Sequence, residues 1–239
     1  MADQALRMPS HPYYPLDLEL PGYTDNTLAL TTLLSGFSAG IALVLGAARV
    51  LSRMYRPSIS SADQFLVLWF VLCGSLHCFY EGYFIYNHDR MPAMQDVFGQ
   101  LWKEYAKSDS RYLAADSLVL TLETITVFVW GPLSFMTAWF IVCESPFRFP
   151  FQALVSTGHL YSDMLYYVTS FLDMRRGVLH SRPEALYFWV YFVIMNSFWI
   201  VIPASILYEA VMGSAQAVAA MRKEKRTSQQ SVQAKEHNL

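Results

Sequence analysis

Two ionisable side chains, His77 and Glu81, stand four residues apart inside an apolar run over 65–86. On a helix that spacing places both on one face, about one turn apart. Glu123, His159, Asp163 and Asn196 stand inside other apolar runs. A charged group at the centre of a bilayer costs about 2.5–3.5 kcal/mol on the insertion scale, so such residues face one another or a polar cavity, and a functional role is the default expectation. A positioned acid can protonate an alkene, and a base can remove a proton elsewhere. An aromatic face can stabilise the cation formed between those steps. On one helix Trp189, Phe192, Asn196, Trp199 and Pro203 recur at intervals of three or four, and Glu123, Thr126 and Trp130 fall along another strip. The product of such chemistry is a shifted double bond, with no metal and no cofactor required. Two plainer roles compete: a His77–Glu81 pair that pins helices together, or a proton or ion pathway. The second lacks the internal repeat that transporters often show.

The composition says what must hold these groups. Of 239 residues, 54% are hydrophobic and 15% charged, with a mean hydropathy of +0.26. Soluble domains carry roughly 25% charge, so the deficit points to lipid. The net charge of -2 gives no support for a nucleic-acid partner. Cys73, Cys78 and Cys143 show no zinc or redox spacing in sequence and are expected to pack as small apolar groups.

The elements follow as an all-α membrane protein, a bundle of five transmembrane helices around an apolar pocket. Residues 1–27 carry Pro9, Pro12, Pro15 and Pro21 and read as an extended arm without signal-peptide character. Thr24 or Asp25 offers an N-cap to the first span, over 28–51, which is rich in small residues such as Gly36, Gly40 and Gly46. The second span covers 65–86. Trp102, Tyr105 and Tyr112 stand among charges over about 99–114, a pattern expected of a helix lying on the membrane surface. The third span, 115–142, holds Trp130-Gly131-Pro132, where a kink is expected. The fourth, 151–171, is the least apolar, and the fifth covers 186–211. The membrane domain thus occupies 28–211, and the polar tail, 212–239, is expected to be disordered. Basic clusters at Arg49, Arg53 and Arg56 and at Arg222, Lys223, Lys225 and Arg226 favour a cytosolic C-terminus. Insertion into the endoplasmic reticulum membrane is the default.

From Pro12 to Tyr208 the chain resembles the emopamil-binding protein family, the sterol Δ8–Δ7 isomerases of the wider EXPERA group. The likeness rests on His77 with Glu81-Gly82, on the run 101–107, on Asp109-Ser110-Arg111-Tyr112, on Glu123-Thr124-Ile125-Thr126 with Trp130-Gly131-Pro132, and on Tyr187-Phe188-Trp189 leading to Met195-Asn196 and Trp199. The resemblance implies five membrane helices around a hydrophobic pocket, a homodimer in the endoplasmic reticulum, a sterol substrate and an affinity for cationic amine ligands. It implies protonation at carbon 9, a cation at carbon 8 and proton loss from carbon 7. His77, Glu81 and Glu123 would handle the protons; the resemblance leaves donor and acceptor open, and our own expectation is that the His77–Glu81 pair delivers and Glu123 receives. Asn196 would orient Glu123, and Trp199 would face the cation. Tyr112, Thr126, Trp130, Tyr161, Asp163 and Trp189 are expected to bind substrate. His159 departs from the resemblance, since an uncharged polar group is expected beside Tyr161 and Asp163. Two alternatives stand beside this one: a non-catalytic, sigma-2-receptor-like regulator that binds sterols or cationic drugs, and an isomerase or cyclase for another terpenoid. The full acid–base set argues against the first.

Overall fold

Apolar runs that meet no water can satisfy their backbone N–H and C=O groups by winding as helices. The computed structural model describes residues 11–236, and no strand occurs among them. Helix α1 is Leu30–Tyr55, α2 Ser61–Asn87, α3 Val97–Tyr105, α4 Ser117–Val142 and α5 Arg148–Arg175. Helix α6 starts as a π-wound segment, Leu186–Met195, and continues as Asn196–Glu236. Four stretches are long and apolar enough to cross a membrane: α1, α2, α4 and Leu186–Gln230 of α6. Helix α5 has 28 residues but is not among them. Its Gln152, Ser156, His159, Asp163 and Ser170 are buried, so its polarity faces the protein interior.

Helix α2 packs on α4, and α5 runs against α6. A Cβ on Gly131 would stand 2.5 Å from the Cys78 sulfur, so glycine is what lets α4 approach α2 this closely. The glycines of α1 do not play that part within the chain, since Gly36, Gly40 and Gly46 meet nothing within 4 Å. The start of α1 also differs from expectation. It is capped by neither Thr24 nor Asp25, and the Gln100 side-chain oxygen accepts from the N–H groups of Thr27 and Leu28 at 2.9 and 2.8 Å.

Three π-wound segments interrupt the long helices: Leu76–Glu81 in α2, Thr126–Trp130 in α4 and Leu186–Met195 at the head of α6. The second directly precedes Gly131-Pro132. Proline has no N–H to return to the preceding turn, and the ladder widens so that Gly131 donates to the Thr126 carbonyl. In α6 side chains take over backbone acceptors: the Tyr167 hydroxyl donates to the Phe192 and Val193 carbonyls at 3.0 and 2.9 Å. A side chain inserted in this way loosens the regular ladder.

The N-terminal arm, from residue 11 on, is ordered by what it covers. Tyr13 is buried and its hydroxyl donates to the Lys103 carbonyl at 2.9 Å, while Lys103 Nζ donates to the Thr24 carbonyl at 2.8 Å. Residues 1–10 lie outside the described residues. Beneath the arm, α3 corrects the expectation of a surface-lying helix: Gln100, Leu101, Trp102, Lys103 and Glu104 are buried, and Trp102 stacks on Tyr80 with ring centroids 4.4 Å apart. Its aromatic side faces the protein because Tyr80, Phe84 and Tyr112 offer it rings at contact distance. The tail is a second correction. Residues 212–236 continue α6 as helix, and residues 215–230 are exposed. Good helix formers (Ala215, Ala217, Ala219, Ala220 and the Lys, Glu and Gln beyond), with no proline or glycine after Gly213, carry the winding past the apolar part. Residues 237–239 lie outside the described residues.

Candidate functional site

Between the arm-side and α2/α4-side apolar clusters lies a cavity of about 410 Å³. It is in the size range of small-molecule sites. Its walls come from α1 (Leu34, Phe37), α2, α3, α4, α5 and α6. The π-wound turns matter here, because such turns often accompany functional sites. His77 and Glu81 stand in the first, Thr126 opens the second, and Asn196 directly follows the third.

Of the residues that the sequence singles out, His77, Glu81, Glu123, Asn196, Trp199, Tyr112, Thr126 and Asp163 all line this cavity. His77 is buried, and its Nδ1 lies 3.0 and 2.8 Å from the two Glu81 carboxylate oxygens. The Glu81 carboxyl also stands beside that of Glu123. Three proton-carrying groups thus form a chain from α2 to α4. Helices that face each other across a cavity bring together residues that sequence spacing alone cannot connect.

Glu123 is oriented differently from the expectation. Asn196 does not hold it: the Asn196 amide donates to the Phe192 carbonyl at 2.7 Å, and its oxygen accepts from the Tyr105 hydroxyl at 3.4 Å. The bond to Glu123 comes from the Tyr112 hydroxyl at 2.8 Å. Burial, and then the adjacent Glu123 charge, pushes the Tyr112 hydroxyl well above its usual value, so it stays protonated and donating.

Trp130, Tyr161 and Trp189 are not in the lining. Tyr161 and Trp189 face outward, 63% and 58% exposed. The Trp130 ring packs on Gly158, where a Cβ would stand 2.6 Å away. The strips that joined Glu123 to Trp130, and Trp189 to Asn196, assume 3.6 residues per turn. Both cross a π-wound segment, in which each residue turns through a smaller angle, so seven residues no longer return to the starting face. Trp199 lies beyond the π winding and reaches the cavity, its ring 5.5 Å from that of Trp69.

Other lining residues carried weaker signals. Tyr80, Trp102, Tyr105 and Tyr166 give the cavity aromatic walls, and Glu104 adds a carboxylate. The alternation of aromatic and charged residues in α3 was the visible trace of the first group, but it is equally the pattern of a surface helix. His159 lies with its Nε2 3.1 Å from Nε2 of His77. Cys73, His77 and His159 each place one ligand atom within 4.8 Å of the others, the one group of this kind among the described residues able to hold a metal.

The family description EXPERA (EXPanded EBP superfamily) matches residues 97–210. The chain is 36% identical over 206 residues to the 3-beta-hydroxysteroid-Delta(8),Delta(7)-isomerase of Rattus norvegicus, covering 85% of this chain and 88% of that protein. The Mus musculus protein of the same name is 36% identical over 215 residues, covering 88% and 92%. A protoglabretal synthase of Ailanthus altissima is 28% identical over 201 residues, covering 84% and 90%. By the extent of these matches, the chain belongs to the EXPERA family, the expanded EBP superfamily.

Proposed function

We propose that this protein is a sterol double-bond isomerase that moves a Δ8 double bond to Δ7. The observation that carries the proposal is the juxtaposition, on an aromatic-walled cavity, of the His77–Glu81 pair with the Tyr112-held Glu123 carboxyl. The pair delivers a proton to carbon 9. The electrons of the C8=C9 bond form the new C9–H bond and leave a cation at carbon 8, faced by the Trp199 indole. Glu123 then takes a proton from carbon 7, and the electrons of that C–H bond close the C7=C8 double bond. Proton balance is restored when Glu123 gives its proton up to solvent and the His77–Glu81 pair takes one up from solvent. Asn196 anchors Tyr105 and the widened turn of α6, and Thr126 and Asp163 shape the wall around the substrate. The protein acts in the endoplasmic reticulum membrane as a homodimer, with α5 as a fifth crossing and a cytosolic C-terminus. Cationic amines occupy the position of the carbocation. The rat and mouse isomerase relatives support the choice of reaction.

The protoglabretal synthase relative supports a second substrate class, another terpenoid skeleton handled with the same acid and base. His159, placed where the likeness expects an uncharged polar group, adds to it. Both substrates are tested by expression in membranes that lack Δ8–Δ7 isomerase, with substrate supplied in heavy water and products analysed by mass spectrometry. The expected result is a Δ7 sterol carrying one solvent deuterium, with turnover reduced by about 10²–10⁴-fold in Glu123→Gln, the usual span of acid–base catalysis. Saturable amine binding with no sterol product would overturn the first reading. Conversion of a triterpenoid instead would establish the second.

A further inference from the structure

His77 has its Nδ1 against a carboxylate and its Nε2 against a second imidazole nitrogen, Nε2 of His159, at 3.1 Å. Two nitrogens at that separation hold at most one hydrogen between them. Two imidazoles bound to one tetrahedral zinc, each at 2.0–2.1 Å, stand about 3.3 Å apart. The third corner is the sulfur of Cys73, one turn before His77 on α2 and fully buried. A thiolate with two imidazoles is a donor set that suits zinc. The outer shell fits as well, since a carboxylate on the far nitrogen of a ligating histidine fixes its orientation and raises its basicity. Glu81 occupies that place. His159 is buried with Nδ1 unpartnered, so no hydrogen bond ties its ring to another role. His77 and His159 both line the cavity, which gives an ion a route in and leaves a fourth position turned toward the substrate.

We propose that Cys73, His77 and His159 form a zinc site that switches the protein off. On binding, the Cys73 thiol gives up its proton to solvent and the ion takes the Nε2 lone pairs of both histidines. With Nε2 taken, His77 can no longer become the doubly protonated imidazolium that would act as the acid, and a divalent charge stands next to the place where the substrate cation would form. The inhibitory effect rests on the isomerase function proposed above; zinc binding itself does not.

The two are separated by measuring them separately. Full-length protein in detergent is dialysed against zinc alone and its metal content determined, without substrate. One zinc per chain is expected, with a thiolate-to-metal charge-transfer band when cobalt replaces it. His159→Gln, which retains a polar group of similar size, and Cys73→Ser should each weaken binding by at least about tenfold, since losing even an outer-shell partner costs 10–100-fold. The ratio of turnover with zinc to turnover with chelator should rise toward one in both variants. Absence of bound zinc, affinity unchanged in either variant, or a bound ion that leaves turnover intact would each overturn the proposal. A protein inactive even with chelator would instead speak against the isomerase, leaving the dialysis result to stand on its own.

Discussion

Two of the buried polar clusters among the described residues differ in what they leave unused. In the first, the Arg111 guanidinium donates to Asp109 through Nε at 3.0 Å and Nη2 at 2.6 Å, to Ser170 through Nη2 at 2.5 Å and to Thr169 through Nη1 at 3.2 Å. All three of its nitrogens are satisfied, and neither Arg111 nor Asp109 lines the cavity. The second cluster, around His77 and Glu123, lines it. His159 Nδ1, Asp163 Oδ2, Glu104 Oε1 and Trp199 Nε1 are buried there without hydrogen-bond partners. A buried polar group left unpaired is costly, so its persistence on a cavity wall calls for a ligand, whereas a closed network calls for none. Burial and charge alone therefore do not mark a reactive site. Spare hydrogen-bonding capacity turned toward a cavity does.

The sharpest way to break that contrast is to open the closed network. Arg111→Met strands the Asp109 carboxylate, and breaking a buried pair in this way costs about 3–5 kcal/mol. Denaturant unfolding in detergent should register that loss, while turnover per folded molecule stays within about twofold of the parent. A fall in kcat at undiminished stability would move Arg111 into the reactive cluster and erase the distinction.

Tyr112→Phe acts at the boundary between the two clusters, because Tyr112 follows Arg111 in sequence yet donates to Glu123. A hydrogen bond to a charged group contributes about 1.5–3 kcal/mol. If it is made to the carboxylate that receives the proton, kcat should drop by about tenfold to a hundredfold, with little change in the unfolding midpoint. An unaltered kcat would leave Glu123 without the orienting partner that the geometry gives it.

The sequence made His77, Glu81 and Glu123 legible because ionisable residues in apolar runs are rare and costly, and i, i+4 spacing survives even a π turn well enough to keep His77 on Glu81. Four of the five expected spans carry the hydropathy of a membrane crossing, and α5 does not. What stayed hidden has two physical causes. Tertiary partners decide which face of a short amphipathic helix is buried, so α3 could be read as a surface helix although Tyr80 and Tyr112 draw Trp102 inward. And the donor to Glu123 sits eleven residues earlier in a loop, where no periodicity connects it to the helix.

The smallest expected effect tests the second helical strip. Counted at 3.6 residues per turn, Trp189 and Asn196 share a face, and a tryptophan on that face beside a cation would contribute about 0.5–2 kcal/mol. The π-wound segment Leu186–Met195 breaks the count and leaves Trp189 outside the cavity lining. Trp189→Leu should therefore change kcat/KM and the affinity for cationic amines by no more than about 0.5 kcal/mol, the range of outward-facing substitutions away from a site. Trp199→Leu, made alongside, should weaken amine binding by the larger amount, since Trp199 follows the π segment and lines the cavity. Equal losses in the two variants would mean that α6 winds regularly through this region and that both indoles reach the ligand. A loss confined to Trp199 would locate the cation-facing surface on one side of the π turn, where the winding rather than the residue type decides which aromatic takes part.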